Sequence, residues 1–455
     1  MRTFKSINPY DGAILGEFEE MDEKQIELSL NRADSAFHRW SSTPIHKRCE
    51  LLRRLAEILR TKKEELARLI TLEMGKLIVE SRAEIEKCAW VCDYYAEHAE
   101  EFTKDEIVKT DAKKSYVAYQ PLGTILAVMP WNFPFWQVIR FAAPALSAGN
   151  TALLKHASNV PQCAIAIENL FKEADFLENV FQTLLIPSYR VDSIIRDPRI
   201  RGVTLTGSEY AGSNVAASAG RAIKKTVLEL GGSDAFLVLK DADIDMAVKA
   251  GVSSRFLNAG QSCIAAKRFI LVKEIADEFL EKFKKEVESL KMGDPLKEDT
   301  TLAPMARFDL RDELHKQVEE SIRGGALPVT GCQIAEGRGA FYMPSILDNV
   351  VKGCTAYNEE LFGPVAIVIR VEDEEEGLMV ANDSPFGLGG SVWSRDRERA
   401  EAIALKMQCG LSFVNSIVKS DPRLPFGGIK ASGYGRELSY HGMREFLNIK
   451  TIYIT

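Results

Sequence analysis

Apolar residues recur at three- and four-residue spacing through 23–40, 46–61, 62–74 and 77–102, with charged side chains on the other faces, so the pattern predicts four helices near the N-terminus. The period then changes. Residues 113–119 alternate as a strand, 123–128 form a short apolar run closing at Pro130, and 135–146 read as a helix that breaks at Gly149 and Asn150. From 151 onward short strands and helices take turns: strands at 151–155, 181–185 and 202–206, helices at 160–173, 189–196 and 209–219. A second series starts near Leu230, with strands at 235–239, 268–272, 366–371 and 390–393 and helices at 244–257, 274–290 and 372–382. Such alternation predicts parallel strands joined by right-handed crossovers, hence an α/β chain with two doubly wound domains. Residues 447–454 alternate like an edge strand, which has to be covered or paired with another subunit.

Length agrees with more than one core, because 455 residues exceed what a single hydrophobic interior usually serves. The apolar fraction of 46% and charged fraction of 27% are those of an ordinary globular chain. A net charge of -7, with no basic cluster interleaved with aromatics, argues against nucleic acid or an anionic membrane as a partner. The eight cysteines show no C-x-x-C spacing and the six histidines no H-E-x-x-H, so neither a disulfide framework nor a metal site is expected. Cys88 and Cys92 stand one helical turn apart, as on the apolar face of a helix. The N-terminus lacks the apolar core of a signal peptide and no apolar run reaches membrane-spanning length, so a cytoplasmic protein is expected.

Candidate chemistry enters with Cys263. It lies in Asn258-Ala-Gly-Gln-Ser-Cys263, among small and polar residues rather than in an aliphatic run, a setting that leaves room for a reactant beside a thiol. A turn before the strand at 268–272 is the plainer alternative. Gly207 and Ser208 carry a strand into a helix, where free N–H groups and an N-capping serine suit a pyrophosphate or simply cap the helix. Lys155 closes an apolar strand with no carboxylate after it, in His156-Ala-Ser158. Glu229 ends a β-prone apolar run, where a charge is costly unless paired or functional. Asn132 supplies an amide donor between Pro130 and Pro134, either for an oxyanion or for a turn.

Six motifs, in order along essentially the whole chain, resemble signatures of the NAD(P)-dependent aldehyde dehydrogenase superfamily: Pro130-Trp-Asn-Phe-Pro134, Thr206-Gly-Ser208, Glu229-Leu-Gly-Gly232, Gly260-Gln-Ser-Cys263, Glu360-Leu-Phe-Gly-Pro364 and Pro425-Phe-Gly-Gly-Ile-Lys-Ala-Ser-Gly433. The resemblance implies Cys263 as nucleophile, Asn132 as oxyanion donor and Glu229 as the base that hydrolyses a thioester. It further implies Trp131, Lys155, Ser158, Gly207, Ser208, Glu360 and Phe362 along an NAD or NADP groove. By the same resemblance, 1–110 and 123–230 form the NAD(P)-binding domain, 231–430 the catalytic domain, and 111–122 with 446–455 the strands of a small oligomerisation hairpin in a homodimer or homotetramer.

Two departures qualify these expectations. Lys155-His-Ala-Ser158 lacks the carboxylate that often receives the adenosine ribose, so NADP is expected to be accepted, with Lys155 and Ser158 on its 2′-phosphate. The segment Ile186-Pro-Ser-Tyr189 also lacks the glycines usual near the adenine. For the substrate, helical spacing puts Asn132, Trp136 and Arg140 on one stripe, aiming a guanidinium into the aldehyde channel, where a carboxylated aldehyde would match it. Arg140 and Ser420 coincide with polar positions of enzymes similar to succinate-semialdehyde dehydrogenase, and Ser262 borders the nucleophile. The other readings are a dehydrogenase for uncharged aldehydes, a coenzyme-A-acylating enzyme that would not need Glu229, a thiol esterase, and a protein with no activity.

Overall fold

A computed structural model describes residues 3–455. Its first sheet runs in the order Gly433–Tyr434, Lys225–Glu229, Ile200–Thr206, Thr124–Met129, Thr151–His156 and Phe181–Thr183. The strands are parallel except Gly433–Tyr434, which pairs antiparallel with Lys225–Glu229. Parallel strands are buried on both faces, and the side-chain alternation shows it. Ile125, Ala127 and Met129 enter a core shared with the helices Ile45–Thr61, Ile78–Phe102 and Trp136–Ser147, whereas Leu126 and Val128 turn to the opposite face, against Glu23–Ser41 and Glu209–Arg221.

The second sheet has seven strands, ordered Leu327–Thr330, Ser345–Asp348, Val365–Val371, Ala266–Val272, Asp234–Val238, Gly389–Trp393 and Leu411–Val414. All neighbours are parallel except the first pair. Ala235 and Leu237 face one core, Phe236 and Val238 the other, so this sheet is also covered on both sides. A three-stranded antiparallel sheet, Leu447–Ile454, Lys114–Pro121 and Glu106–Ile107, stands apart, with Leu447–Ile454 at its edge. The expected two-strand hairpin is thus extended by Glu106–Ile107, and the tail of the 231–430 region hands the chain back to the first sheet at Gly433. A side chain at Gly433, φ +106, would collide with the Leu228 carbonyl, so glycine lets the returning strand close on Lys225–Glu229.

The two sheets meet where function is expected in α/β architecture. Pro130, Lys155, Thr206 and Glu229 all stand at the carboxyl ends of parallel strands of the first sheet, the end at which doubly wound sheets receive ligands. The second sheet contributes loops at the opposite end of its strands: Cys263 precedes Ala266–Val272, and Glu360 to Phe362 precede Val365–Val371.

Candidate active site

A cavity of about 430 Å³ opens between these ends, lined by Trp131, Asn132, Thr206 to Ser208, Glu229, Cys263, Glu360 and Phe362, with a further wall from the helix Phe308–Arg323. The backbone that presents the thiol is bent sharply. Asn258, Ala259 and Gly260 are successively left-handed, at φ of 53°, 51° and 74°. A Cβ on Gly260 would overlap the Gly363 carbonyl. Arg255, fully buried, holds the bend: its Nη2 donates to the carbonyls of Gly260 (2.9 Å) and Leu361 (3.2 Å), and to that of Gly363. One guanidinium therefore ties the cysteine loop to the Glu360–Phe362 loop, satisfying carbonyls that burial would otherwise leave unpaired.

The Asn132 Nδ2 donates to the Gln261 carbonyl at 3.1 Å, two residues before the thiol. Asn258 Nδ2 in turn donates to the Asn132 carbonyl at 2.8 Å, so the amide and the cysteine loop brace each other. The Pro130–Pro134 turn is anchored from behind. Glu84 accepts from the backbone N–H groups of Phe135 (2.9 Å) and Trp136 (3.0 Å) while it is ion-paired with buried Lys76, whose ammonium lies 3.7 Å from the Phe133 ring centroid.

Electrostatics separates the roles. Protein packed around the Cys263 sulfur pushes its thiol up to about 12, against the opposing pull of Lys267 and Arg140. Glu229 is buried, neither carboxylate oxygen has a hydrogen-bond partner among the described residues, and burial, then nearby Glu437, hold its pKa well above the usual carboxylate range. Gly427 leaves the space it needs, since a Cβ there would stand 2.6 Å from Glu229 Oε1. The arrangement is a protonated thiol, a high-pKa carboxyl and an amide donor around one open volume.

On the nucleotide side, Ser208 caps the helix Glu209–Arg221 by accepting from the Ala211 N–H at 3.3 Å, and the Gly207 N–H donates to the Glu229 carbonyl at 3.0 Å. Trp131 and Phe362 meet edge to face, with centroids 5.9 Å apart. Glu360 is drawn inward, accepting from the Gly232 N–H at 3.2 Å. Lys155 is buried, with its pKa lowered by burial, and has no ion pair among the described residues. Ser158 is exposed and lines a small separate hollow with Ile186. His156 is a structural group: its Nε2 meets the Pro134 carbonyl at 2.9 Å, its Nδ1 accepts from the Ala157 N–H, and burial lowers its pKa to about 4.

The substrate side departs from expectation. The helix begins at Trp136, so Asn132 lies in the preceding turn and not on a common helical stripe. Arg140 does not aim a free guanidinium at the cavity: it is 2% exposed, ion-paired with buried Glu437 and stacked 4.7 Å from the Phe426 ring centroid. A cation in a site this closed takes the nearest carboxylate, and Glu437 supplies it. Trp136, Ser262 and Ser420 are buried outside the cavity lining. Ser262 offers its carbonyl to Lys267, and Ser420 accepts a hydrogen bond from Lys87. Arg255, Lys267, Glu437 and Leu310 to Gln317 escaped sequence reasoning. Lys267, at the start of the apolar strand Ala266–Val272, offered a usable signal, whereas Arg255 and Glu437 stand among small and polar residues and nothing in Phe308–Arg323 marks it as a cavity wall.

The aldehyde dehydrogenase family model matches residues 1–452. This chain belongs to that family. It is 49% identical over 449 residues to the probable succinate-semialdehyde dehydrogenase [NADP(+)] of Synechocystis sp., covering 99% of both chains. It is 48% identical to succinate semialdehyde dehydrogenase [NAD(P)+] Sad of Escherichia coli, covering 98% of this chain and 97% of that one. Among solved structures it is similar to succinic semialdehyde dehydrogenase from Streptococcus pyogenes in complex with NADP+, with a TM-score of 0.97, 41% identity and 99% of each chain covered. As a member of the family it is an NAD(P)-dependent enzyme of the aldehyde dehydrogenase fold.

Proposed function

We propose that the protein oxidises succinate semialdehyde to succinate, with NADP or NAD as the cofactor. The observation that carries this reading is the convergence of Cys263, Asn132 and Glu229 on one cavity that runs on to Thr206, Gly207 and Ser208. Relatives at 46% identity and above that are named as succinate-semialdehyde dehydrogenases support the substrate.

The chain's residues fit a dinucleotide. The start of the helix at Ser208 suits the pyrophosphate, Trp131 and Phe362 suit a flat ring, Glu360 suits ribose hydroxyls, and Lys155, a buried cation without a counter-ion, suits a 2′-phosphate. When bound, the nicotinamide supplies the acceptor for the hydride that leaves the substrate carbon.

The Cys263 thiol gives its proton to solvent water in the cavity and its sulfur adds to the aldehyde carbon, giving a thiohemiacetal whose oxyanion the Asn132 amide and the Cys263 N–H stabilise. Loss of hydride converts this to a thioester. Glu229 then removes a proton from water, the hydroxide adds to the thioester carbon, the carbon–sulfur bond breaks, and acid and thiolate separate. Burial of Glu229 suits it to that work, because a carboxylate of ordinary pKa is too weak a base for water.

The exposed Ile449, Tyr453 and Ile454 on the edge strand Leu447–Ile454 support a homodimer or homotetramer built on that sheet. Eight free thiols, five of them buried, suit the reducing cytoplasm. Initial rates with succinate semialdehyde, glutarate semialdehyde, hexanal and benzaldehyde, each with NAD and NADP, test the assignment. A kcat/KM for hexanal or benzaldehyde above that for succinate semialdehyde would overturn it.

A further inference from the structure

Glu80 and Glu84 stand one turn apart on one face of the helix Ile78–Phe102, and each accepts from a different segment of the site. Glu84 takes the backbone N–H groups of Phe135 and Trp136, which follow the Asn132 turn. Both carboxylate oxygens of Glu80 lie 3.1 Å from the backbone nitrogen of Asn258, the first residue of the bend that leads to Cys263. The two segments are also joined directly, by the Asn258 amide on the Asn132 carbonyl and the Asn132 amide on the Gln261 carbonyl. Hydrogen bonds thus close a circuit from the helix through Glu80, Asn258, Asn132 and the turn to Glu84 and back. The bend needs such holding. Asn258 and Ala259 are left-handed, at φ of 53° and 51°, a conformation that residues with a Cβ keep only where their surroundings fix it. Arg255 holds the far end at the Gly260 carbonyl, and Glu80 holds the near end. Asn258 is fully buried, so its N–H has no water to turn to. Among the described residues that N–H is the one donor to Glu80, and a charged acceptor binds it more firmly than a neutral one would. Glu80 also sits in the first turn of its helix, where free N–H groups favour a carboxylate.

We propose that Glu80 is a positioning residue for the oxidation: its carboxylate holds the Asn258 to Gly260 bend, and through it keeps the Cys263 sulfur and the Asn132 amide at the separation that thiohemiacetal formation needs. Glu80 touches neither substrate nor cofactor and acts through Asn258. The inference rests on the reading of Cys263 as nucleophile and Asn132 as oxyanion donor. A shift of about 1 Å between two such groups costs about 10²-fold in rate, so a group that sets their spacing is read in kcat rather than in substrate affinity.

The test is a double-mutant cycle on the rate constant for the first equivalent of reduced cofactor, counted per active site, in Glu80→Ala, Asn132→Ala and the two combined. Glu80→Ala is expected to slow this step about 30-fold while KM for the aldehyde moves by about threefold or less. Glu80→Gln, whose amide oxygen still accepts from the Asn258 N–H, should return to within about threefold of the wild type. In Asn132→Ala the amide that Glu80 aligns is gone, so adding Glu80→Ala should cost about threefold or less. A glutamate that serves only the fold would lower the number of active sites and leave the rate per site unchanged, or would multiply the losses of the two substitutions, and either result overturns the proposal. Where Glu80→Ala is poorly folded, Glu80→Asp runs the same cycle: it keeps the charge, draws the carboxylate back by one methylene and should lose about tenfold. An Asn132→Ala enzyme with the wild-type rate overturns the oxyanion reading and the proposal with it. A slow Asn132→Ala enzyme in which Glu80→Ala multiplies the loss overturns the role of Glu80 alone.

Discussion

Lys267 Nζ lies 3.0 Å from Glu360 Oε1, and both side chains are largely enclosed. The same ammonium donates to the carbonyls of Ser262 at 2.8 Å and Cys263 at 2.9 Å. One cation therefore joins the Cys263 backbone to the acid proposed to hold the nicotinamide ribose, and its charge is the largest influence that opposes the rise of the Cys263 thiol. Lys267→Met keeps most of the stem and removes the charge. Alkylation of Cys263 by iodoacetamide at pH 7.5 is expected to slow about tenfold, since one pKa unit changes the thiolate fraction by that factor. An unchanged rate constant in a variant of normal thermal stability would show that the charge does not reach the sulfur.

Glu229→Gln separates the two halves of the reaction. In the proposed mechanism thiohemiacetal formation and hydride loss need Cys263 and Asn132, whereas thioester hydrolysis needs the base. The variant is expected to release about one equivalent of reduced cofactor per active site in a rapid burst and then turn over about 10²- to 10⁴-fold more slowly. Burial and Glu437 keep the proton on Glu229 to higher pH than on an ordinary carboxyl. The active form is the deprotonated one, so wild-type hydrolysis should rise with pH through that raised pKa, and the residual rate of Glu229→Gln should lack this limb. Stopped-flow absorbance of the reduced cofactor measures both, and a variant with neither burst nor altered pH profile would remove Glu229 from the mechanism.

Lys155 is tested by cofactor, not by aldehyde. It ends the strand Thr151–His156 as a buried cation without an ion pair among the described residues. Lys155→Ala is expected to lower kcat/KM for NADP about 30-fold and that for NAD by about twofold or less, because only NADP carries the 2′-phosphate. Equal losses with both cofactors would assign Lys155 to the fold instead.

The strand and helix alternation of both sheets was legible because parallel strands leave short apolar runs between amphipathic helices. The strands Ala266–Val272 and Val365–Val371 are such runs. Phe308–Arg323 and Leu411–Val414 went unread: the first is mostly charged with few buried positions, and the second is a half-buried edge strand. At the site, the local setting of Cys263, Glu229 and Asn132 made them candidates with a plainer alternative each, and it was the resemblance of six motifs that grouped them; the structure brings all three to one cavity. The fate of Arg140 could not be read. Its partner Glu437 is almost 300 residues away in the chain and arrives only because Gly433–Tyr434 returns to the first sheet. Helical spacing orients a side chain but says nothing of what the rest of the fold brings to meet it.

Asp234 starts the strand that pairs with Ala266–Val272, beyond the Cys263 loop, and should cost stability at alkaline pH. Its Oδ1 accepts from the Gly389 N–H at 3.0 Å, its Oδ2 is buried without a partner among the described residues, and burial raises its pKa to about 7 despite Lys267. The folded pKa therefore exceeds the unfolded value near 3.9. Below that value both states are protonated and the group has no effect. As pH rises from about 4 to about 7 the unfolded state ionises first, so folding loses free energy over this window, and above about 7 the penalty is constant. Asp234→Asn keeps an acceptor for Gly389 and removes the charge. Its stability should exceed that of the wild type by about 4 kcal/mol at pH 8, with the gap narrowing as pH falls to 5. Thermal denaturation across pH 5–8 measures this, and a gap that stays constant or widens toward acid would contradict it.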